Sequence, residues 1–310
     1  MQSETTTIRS SNQSSFDLPA AQIPQCYPFV KWAGGKTQLL SELEKYIPDN
    51  FTRYFEPFLG GGAFFFYLVS SSKQLKFTAY LSDVNKELIN AYKVVKDEVE
   101  KLIELLRVHE KGYKANPDEY YYRLRAKFKP LTDVESAARF ITLNKTCYNG
   151  LYRVNKDGMF NVPIGRYKNP LICDSKNLQN VSLALRHTNA HLLVNNYRET
   201  LELAKEDDFI YLDPPYKPTS ITASFTSYTN EGFTDKDQIA LHETFKKLDR
   251  KGCKIMLSNS DTPFIRELYS DCTEYTKQVS ALRTINCKAA KRTGHRELLL
   301  RNYEEKSSTS

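Results

Sequence analysis

The sequence predicts an α/β fold built on a doubly wound, mainly parallel sheet with a mainly helical segment inserted between its two halves. Strand and helix patterns alternate from residue 53 to residue 106, which is typical of a parallel sheet with helical crossovers. The alternation stops between residues 111 and 189 and resumes at residue 191. Hydrophobic residues make up 40% of the 310 residues, enough for a packed core.

The first half of the sheet begins after a short amphipathic helix that Pro48 ends. Asn85 can cap the helix that follows the second strand, and the apolar face of that helix continues without interruption to Leu106. The predicted elements, in order, are a helix over 39–47, a strand over 53–56, a helix over 63–68, a strand over 77–81 and one long helix over 88–106.

The second half has the same character, and Gly252 stands where the C-cap of its last helix is expected. Its predicted elements are strands over 191–194, 209–212, 254–257 and 296–301, and helices over 198–205 and 235–249. The segment between the halves has helical patterns over 117–127 and 133–146, then a loop region rich in Gly, Asn and Pro up to about residue 180. The sequence therefore predicts a sheet domain of residues 27–110 and 190–303, an insertion of residues 111–189, and flexible tails at 1–26 and 304–310.

Composition narrows the class of protein. The six cysteines form no CxxC pair, so reduced thiols are expected and no metal is. The Ser- and Thr-rich N-terminus has no apolar run of the signal-peptide kind, and no apolar stretch is long enough to span a bilayer. We therefore expect a soluble, cytoplasmic protein. The formal net charge of +7 favours a polyanionic partner only modestly.

The strongest local signal is the segment Asp213–Tyr216, which follows an apolar strand. The two prolines hold the backbone extended, and ligands of doubly wound sheets bind at the carboxyl ends of strands. The Asp213 carboxylate and the Pro214 carbonyl could accept the two hydrogens of a planar exocyclic amine, while the Tyr216 ring could stack on a base. The alternative is a strand followed by a plain Pro-Pro turn, in which Asp213 only caps backbone groups.

A glycine run and an acid suggest a nucleoside cofactor. Gly60–Gly62 follows the first strand, where glycines permit a tight turn and close approach of a ligand. Asp83 ends the next strand and could bond ribose hydroxyls. Gly34–Thr37 suggests instead a phosphate-binding loop, but Val30 occupies the position that its first glycine requires.

The insertion contains a basic and aromatic segment between residues 145 and 168. Five cations and four aromatic rings accompany a single acid, Asp157. Such a surface can neutralise phosphates while rings or apolar side chains enter a base stack, and a solvated loop with locally packed tyrosines is the alternative.

These motifs together resemble the Dam-type, D12-class DNA adenine-N6 methyltransferases that modify GATC. Asp213–Tyr216 resembles their catalytic tetrapeptide, Phe29–Lys36 their N-terminal cofactor motif, Glu56–Gly62 their glycine loop and Ser82–Asn85 their acidic strand end. The segment 148–167 resembles their recognition hairpin, although Thr146-Cys147 departs from the family pattern. The resemblance runs from about residue 27 to residue 303.

The resemblance implies a Rossmann-like sheet that binds S-adenosyl-L-methionine, and double-stranded DNA as the partner of the insertion. Catalysis would fall to Asp213, Pro214, Pro215 and Tyr216. Cofactor contacts would come from Trp32, Lys36, Glu56, Phe58, Gly60, Asp83 and Asp213. DNA contacts would come from Tyr148, Asn149, Leu151, Arg153, Pro163 and Arg166, with Arg153 reading guanine.

The implied activity is methylation of adenine N6 by direct in-line transfer to a base flipped out of the duplex, in a prokaryotic cell or a phage-infected host. A cognate restriction endonuclease is a possible functional partner. Two alternatives stay open from the sequence: a DNA-binding protein with a vestigial cofactor site, and a cytosine-N4 methyltransferase, although the latter group usually has Ser in place of Asp213.

Overall fold

A computed structural model describes residues 23–32, 34–71, 76–126, 129–216, 233–271, 274–281 and 295–304. Within these residues seven strands form one sheet in the order β3-β2-β1-β4-β5-β7-β6. The strands are β1 Arg53–Glu56, β2 Thr78–Asp83, β3 His191–Val194, β4 Phe209–Leu212, β5 Lys254–Ser260, β6 Tyr275–Ala281 and β7 His295–Arg301. Strand β7 runs antiparallel to both of its neighbours, and the other pairings are parallel.

Helices cover both faces of this sheet. They are α1 Leu40–Leu43, α2 Ala63–Ser70, α3 Lys86–Asp97, α4 Val99–Ala115, α5 Pro117–Ala126, α6 Asp133–Thr146, α7 Ser175–His187, α8 Tyr197–Glu202, α9 Asp235–Arg250 and α10 Pro263–Leu268. Successive strand residues enter opposite cores: Tyr54 belongs to the hydrophobic core that includes residues of α2, α3 and α6, and Phe55 belongs to the core that includes residues of α8, α9 and α10. A mixed α/β fold with a largely parallel sheet is therefore confirmed.

The strand order reverses between β1 and β4, so the crossovers leave this point in opposite directions and open a crevice at the carboxyl ends. Strands β1, β3 and β4 have the bounds that the sequence predicts, and helix α6 also agrees. The predicted division into a sheet domain and an insertion stays a prediction. Helix α4 runs unbroken across residues 110 and 111.

The single long helix predicted over 88–106 is wrong, because the chain leaves the helical conformation at Glu98, with φ −133° and ψ 36°. The carbonyl of Lys96 accepts hydrogen bonds from Ser182 Oγ at 3.0 Å and from Arg186 Nε at 2.6 Å. Both donors belong to α7, which begins within the segment predicted as loop up to about residue 180 and was not predicted as a helix. Tertiary hydrogen bonds thus mark the break between α3 and α4.

Two further elements, α10 and β6, were not predicted. Of the tails predicted at 1–26 and 304–310, residues 1–22 and 305–310 lie outside the described residues, and the tails stay a prediction. Across the part of the chain that is described, no helix is both long and apolar enough to cross a membrane.

Candidate active site

Three neighbouring strands bring their acidic ends together at the crevice. Strand β2 ends at Asp83, β1 ends at Glu56, and β4 leads directly into Asp213. Because β1 pairs in parallel with both β2 and β4, these carboxyl groups lie along one edge of the sheet. The edge is the one at which doubly wound folds bind ligands.

The N-terminal motif meets the catalytic tetrapeptide through Lys36, a buried residue with 6% of its surface exposed. Lys36 Nζ lies 2.8 Å from Asp213 Oδ1 and donates to Tyr216 Oη at 2.5 Å. A weaker bond joins Nζ to the Gly34 carbonyl at 3.4 Å. An ammonium group is thus already hydrogen-bonded to the carboxylate that the sequence singles out.

Sequence reasoning missed one member of this cluster, Glu297 on β7. Its Oε2 accepts a hydrogen bond from Tyr216 Oη at 2.8 Å and lies 3.5 Å from Lys36 Nζ. The available signal was an acid directly before Leu298, Leu299 and Leu300 in a strand too apolar to be exposed.

Burial raises the pKa of all three carboxyl groups at these strand ends, Asp213, Glu56 and Asp83. It raises the pKa of Asp213 to about 6, with the Lys36 ammonium opposing the shift and the negative charge of Glu297 adding to it. Burial likewise raises the pKa of Glu56 to about 8, and Tyr54 Oη donates to Glu56 Oε2 at 2.7 Å. At neutral pH Asp213 is therefore mostly a carboxylate, whereas Glu56 is mostly a neutral acid.

The glycine loop is held by Asp83. Its Oδ2 accepts from the Gly60 amide at 3.0 Å and its Oδ1 from the Asn85 amide at 2.9 Å, and burial raises its pKa. Gly60 has φ +48°, and a Cβ there would lie 2.7 Å from Cδ1 of Trp32. Only glycine fits this close approach.

Two aromatic side chains flank the loop. Trp32 stacks on Tyr152, with ring centroids 6.1 Å apart, and Phe58 stacks on Tyr197 at 5.3 Å. Rings, a glycine backbone and an acid at a strand end are the groups that a nucleoside cofactor requires, so the residues present fit S-adenosyl-L-methionine.

The segment 146–165 folds back on itself in an antiparallel manner. The Tyr148 amide donates to the Pro163 carbonyl at 2.9 Å, and the Asn161 amide donates to the Arg153 carbonyl at 3.0 Å. Arg153 Nε donates to Asn161 Oδ1 at 2.7 Å, so the exposed guanidinium is oriented. Of the six predicted DNA contacts Leu151 is half-buried, while the exposed ones are Tyr148, Asn149, Arg153, Pro163 and Arg166.

This folded-back segment is tied to the cofactor motif. Asn144 Oδ1 accepts from the Lys31 amide at 2.7 Å, and Asn144 Nδ2 donates to the Lys31 carbonyl at 2.7 Å and to the Gly150 carbonyl at 3.2 Å. Tyr152 Oη donates to Glu87 Oε2 at 2.7 Å, and Glu87 lies in the first turn of α3, four residues after Asp83. Hydrogen bonds therefore connect the candidate cofactor and DNA surfaces.

In the described ranges no three or more His, Cys, Asp or Glu side chains are grouped so as to hold a metal ion.

Comparison with known proteins agrees with this geometry. Residues 32–285 match the family described as D12 class N6 adenine-specific DNA methyltransferase. The chain is 47% identical over 291 residues to the Type II methyltransferase M.MjaIII of Methanocaldococcus jannaschii, covering 89% of this chain and 99% of that protein. It is 42% identical over 281 residues to the Type II methyltransferase M1.LlaDCHI of Lactococcus lactis subsp. cremoris, covering 89% and 95% respectively.

A third relative is the DNA adenine methylase of Haemophilus influenzae, 35% identical over 275 residues that cover 88% of this chain and 92% of the relative. The family match spans most of the chain and includes Asp83, Asp213 and the glycine loop. The protein is an enzyme that belongs to the D12 class of N6 adenine-specific DNA methyltransferases.

Proposed function

We propose that the enzyme transfers a methyl group from S-adenosyl-L-methionine to N6 of adenine in duplex GATC sites, by direct in-line transfer to a flipped base. The observation that carries this proposal is the contact of Lys36 Nζ with Asp213 Oδ1 at 2.8 Å, at the strand-order reversal and beside the glycine loop. This contact supports the proposal because the Asp213 carboxylate accepts an N–H hydrogen bond at the same sheet edge as Asp83 and Glu56.

The proposed reaction requires the protein to orient the adenine amino group toward the methyl group. S-adenosyl-L-methionine supplies an electrophilic methyl group. The adenine amino nitrogen is a poor nucleophile because its lone pair is delocalised into the ring, and acceptors on both of its hydrogens favour a pyramidal nitrogen. The Asp213 carboxylate and the Pro214 carbonyl serve as those acceptors, Pro215 fixes the backbone between them and the ring, and Tyr216 stacks on the base.

The cofactor is held, on this proposal, by the side chains and backbone around the glycine loop. Asp83 bonds the ribose while it fixes the Gly60 amide, and Trp32 and Phe58 form apolar walls. Lys36 approaches from the Asp213 side. Glu56, 3% exposed and hydrogen-bonded to Tyr54, lies at the end of β1 in the same crevice and is the remaining residue of the predicted cofactor contacts.

DNA recognition is assigned to the insertion 111–189, with the folded-back segment as its reading element. The oriented guanidinium of Arg153 is suited to the O6 and N7 acceptors of guanine in the major groove. Tyr148 and Asn149 stand exposed beside the place of the extruded base, Leu151 and Pro163 contact bases, and Arg166 contacts phosphate. The relatives named DNA adenine methylase support DNA as the substrate.

Two other readings of the sequence are less well supported. A cytosine-N4 enzyme disagrees with the adenine-N6 family to which the chain belongs. A binding protein with a vestigial cofactor site disagrees with the intact acid cluster of the crevice. The relatives named Type II methyltransferases support a cognate restriction endonuclease as a functional partner.

Expression in a host without adenine methylation, followed by genome-wide mapping of N6-methyladenine, tests the proposed function. We expect modification of nearly all GATC sites, on both strands, and none in a strain with the empty vector. Methylation confined to another sequence would refute the GATC assignment, and absence of methylation with a folded, DNA-binding protein would support the vestigial-site reading.

Replacing Arg153 with alanine should relax selectivity at the guanine position, because a bidentate contact contributes about 1–3 kcal/mol of discrimination against the wrong base. Initial methylation rates on duplexes substituted at each of the four target positions measure this. Lys156→Ala, at an exposed residue near the turn of the same segment, is the matched control and should weaken binding uniformly. An unchanged substitution profile for the Arg153 variant would contradict the assignment.

A further inference from the structure

Glu297 is a carboxylate in the interior of the sheet. It lies on β7 opposite Ser260 of β5 and Val279 of β6, and only 8% of its surface is exposed. Removing a carboxylate from water costs free energy unless hydrogen bonds replace the lost hydration. The hydrogen bonds of Glu297 therefore indicate its function.

Those contacts fix the direction of a short chain of hydrogen bonds. A carboxylate only accepts, so Tyr216 Oη donates its single proton to Glu297 across 2.8 Å. The lone pairs of the same hydroxyl oxygen are left for Lys36 Nζ at 2.5 Å, and Nζ also contacts Asp213 Oδ1 at 2.8 Å. The order of donors runs from Lys36 through Tyr216 to Glu297.

We propose that Glu297 is a positioning residue for methyl transfer, which holds the Tyr216 ring and the Lys36 ammonium in the geometry that Asp213 requires. The proposal rests on the catalytic role proposed above for Asp213 and Tyr216. It assigns to strand β7 a task beyond closing the sheet.

The hydrogen bond from Tyr216 Oη to Glu297 restricts the orientation of the Tyr216 ring. The ring can turn about its two side-chain bonds, and fixing the hydroxyl at its far end fixes the plane in which it can stack. Strand β7 pairs with β5, and β5 pairs with β4. The hydrogen bond to Glu297 therefore anchors the Tyr216 ring to the central sheet.

The charge of Glu297 also affects the ionisation of Asp213. Lys36 Nζ lies between two carboxylates, 2.8 Å from Asp213 Oδ1 and 3.5 Å from Glu297 Oε2. The charge of Glu297 disfavours ionisation of Asp213, whereas the ammonium favours it. The other titratable groups that interact with Asp213 from the surrounding elements are Glu56 and Tyr54 on β1, Tyr211 on β4, and Tyr216.

Glu297→Gln separates the two effects, because the amide oxygen can still accept from Tyr216 while the charge is gone. We expect its single-turnover rate at pH 8 to fall by about three- to tenfold as a charged hydrogen bond becomes neutral. The acid limb of its pH–rate profile should move to lower pH by about one unit. Glu297→Ala removes the acceptor that lies 2.8 Å from Tyr216 Oη, and its single-turnover rate should fall by about 10- to 100-fold.

A double-mutant cycle with Tyr216→Phe identifies the route of the effect. If Glu297 acts through the Tyr216 hydroxyl, Glu297→Ala should cost much less in the Tyr216→Phe background than in the wild type. Glu304→Gln, an exposed acid just after β7, is the matched control and should keep the wild-type rate and profile. Thermal melting of each variant shows that the comparison is among folded proteins.

The outcomes are distinct. Additive losses in the cycle, together with an unmoved acid limb in Glu297→Gln, would overturn the proposal and leave Glu297 a structural residue. Asp213→Ala, measured in parallel, separates this from failure of the proposed function: full activity of that variant would remove the catalytic assignment itself. Loss of activity in Asp213→Ala, together with additive losses in the cycle and an unmoved acid limb in Glu297→Gln, overturns only the role of Glu297.

Discussion

Asp213→Ala is expected to lower the single-turnover rate of adenine methylation by about a hundred- to a thousandfold, the usual cost of removing one preorganised group that stabilises developing charge. The variant loses the acceptor that lies 2.8 Å from Lys36 Nζ in the native protein. DNA binding should persist, since the exposed side chains of the segment 146–165 are untouched. Quench-flow with a radiolabelled methyl donor and a GATC duplex, alongside a gel-shift titration, measures both quantities.

Asp213→Asn adds a test of charge. The native carboxyl has a pKa raised to about 6, mainly by burial, so the ionised acceptor is present above that pH and lost below it. The wild-type rate should therefore fall as the pH is lowered through about 6. The asparagine variant keeps one acceptor oxygen, and its lower rate should not show this limb.

Asp207→Asn is a suitable control for both variants, because Asp207 lies just before the opposite end of β4 with 76% of its side chain exposed. Its φ of +62° is a conformation that asparagine tolerates well. We expect wild-type rates and an unchanged pH profile. Normal methylation by Asp213→Ala would refute the assignment of Asp213, whatever the control shows.

Strands and contiguous motifs were predictable from the sequence because their causes are local. The bounds of β1 and β4 follow from short apolar runs between turn-forming residues, and Asp213 follows β4 directly. The glycine requirement at Gly60 was also visible, although its physical reason, contact with the Trp32 ring, is not local.

What the sequence could not supply depends on distant partners. Lys36, Tyr216 and Glu297 meet only because β7 enters the sheet between β5 and β6, a topology that no spacing encodes. The end of α3 coincides with hydrogen bonds from α7 to the Lys96 carbonyl. The apolar pattern continues across Glu98 and therefore does not predict this end. Local pattern identified the parts, and tertiary contacts decided how they are joined.

The cofactor side of the crevice gives the other large expected effect. Asp83→Ala should raise the dissociation constant for S-adenosyl-L-methionine by about a hundredfold, as expected when hydrogen bonds to a charged group worth about 1.5–3 kcal/mol each are removed. Two amides, of Gly60 and Asn85, lose their acceptor at 3.0 and 2.9 Å, so the glycine loop also loses its fixed conformation. Isothermal titration calorimetry without DNA measures the change.

Asp83→Asn should have a smaller effect, because its amide oxygen can still accept from one of the two backbone amides. Asp97→Ala, at the exposed far end of α3, is the control and should bind the cofactor as the wild type does. Because the proposed function assigns Asp83 to cofactor binding and Asp213 to the reacting nitrogen, saturating cofactor should restore most of the turnover of Asp83→Ala and none of that of Asp213→Ala. An unchanged dissociation constant in Asp83→Ala would place the cofactor's ribose elsewhere, and would leave the acid as an anchor of the loop alone.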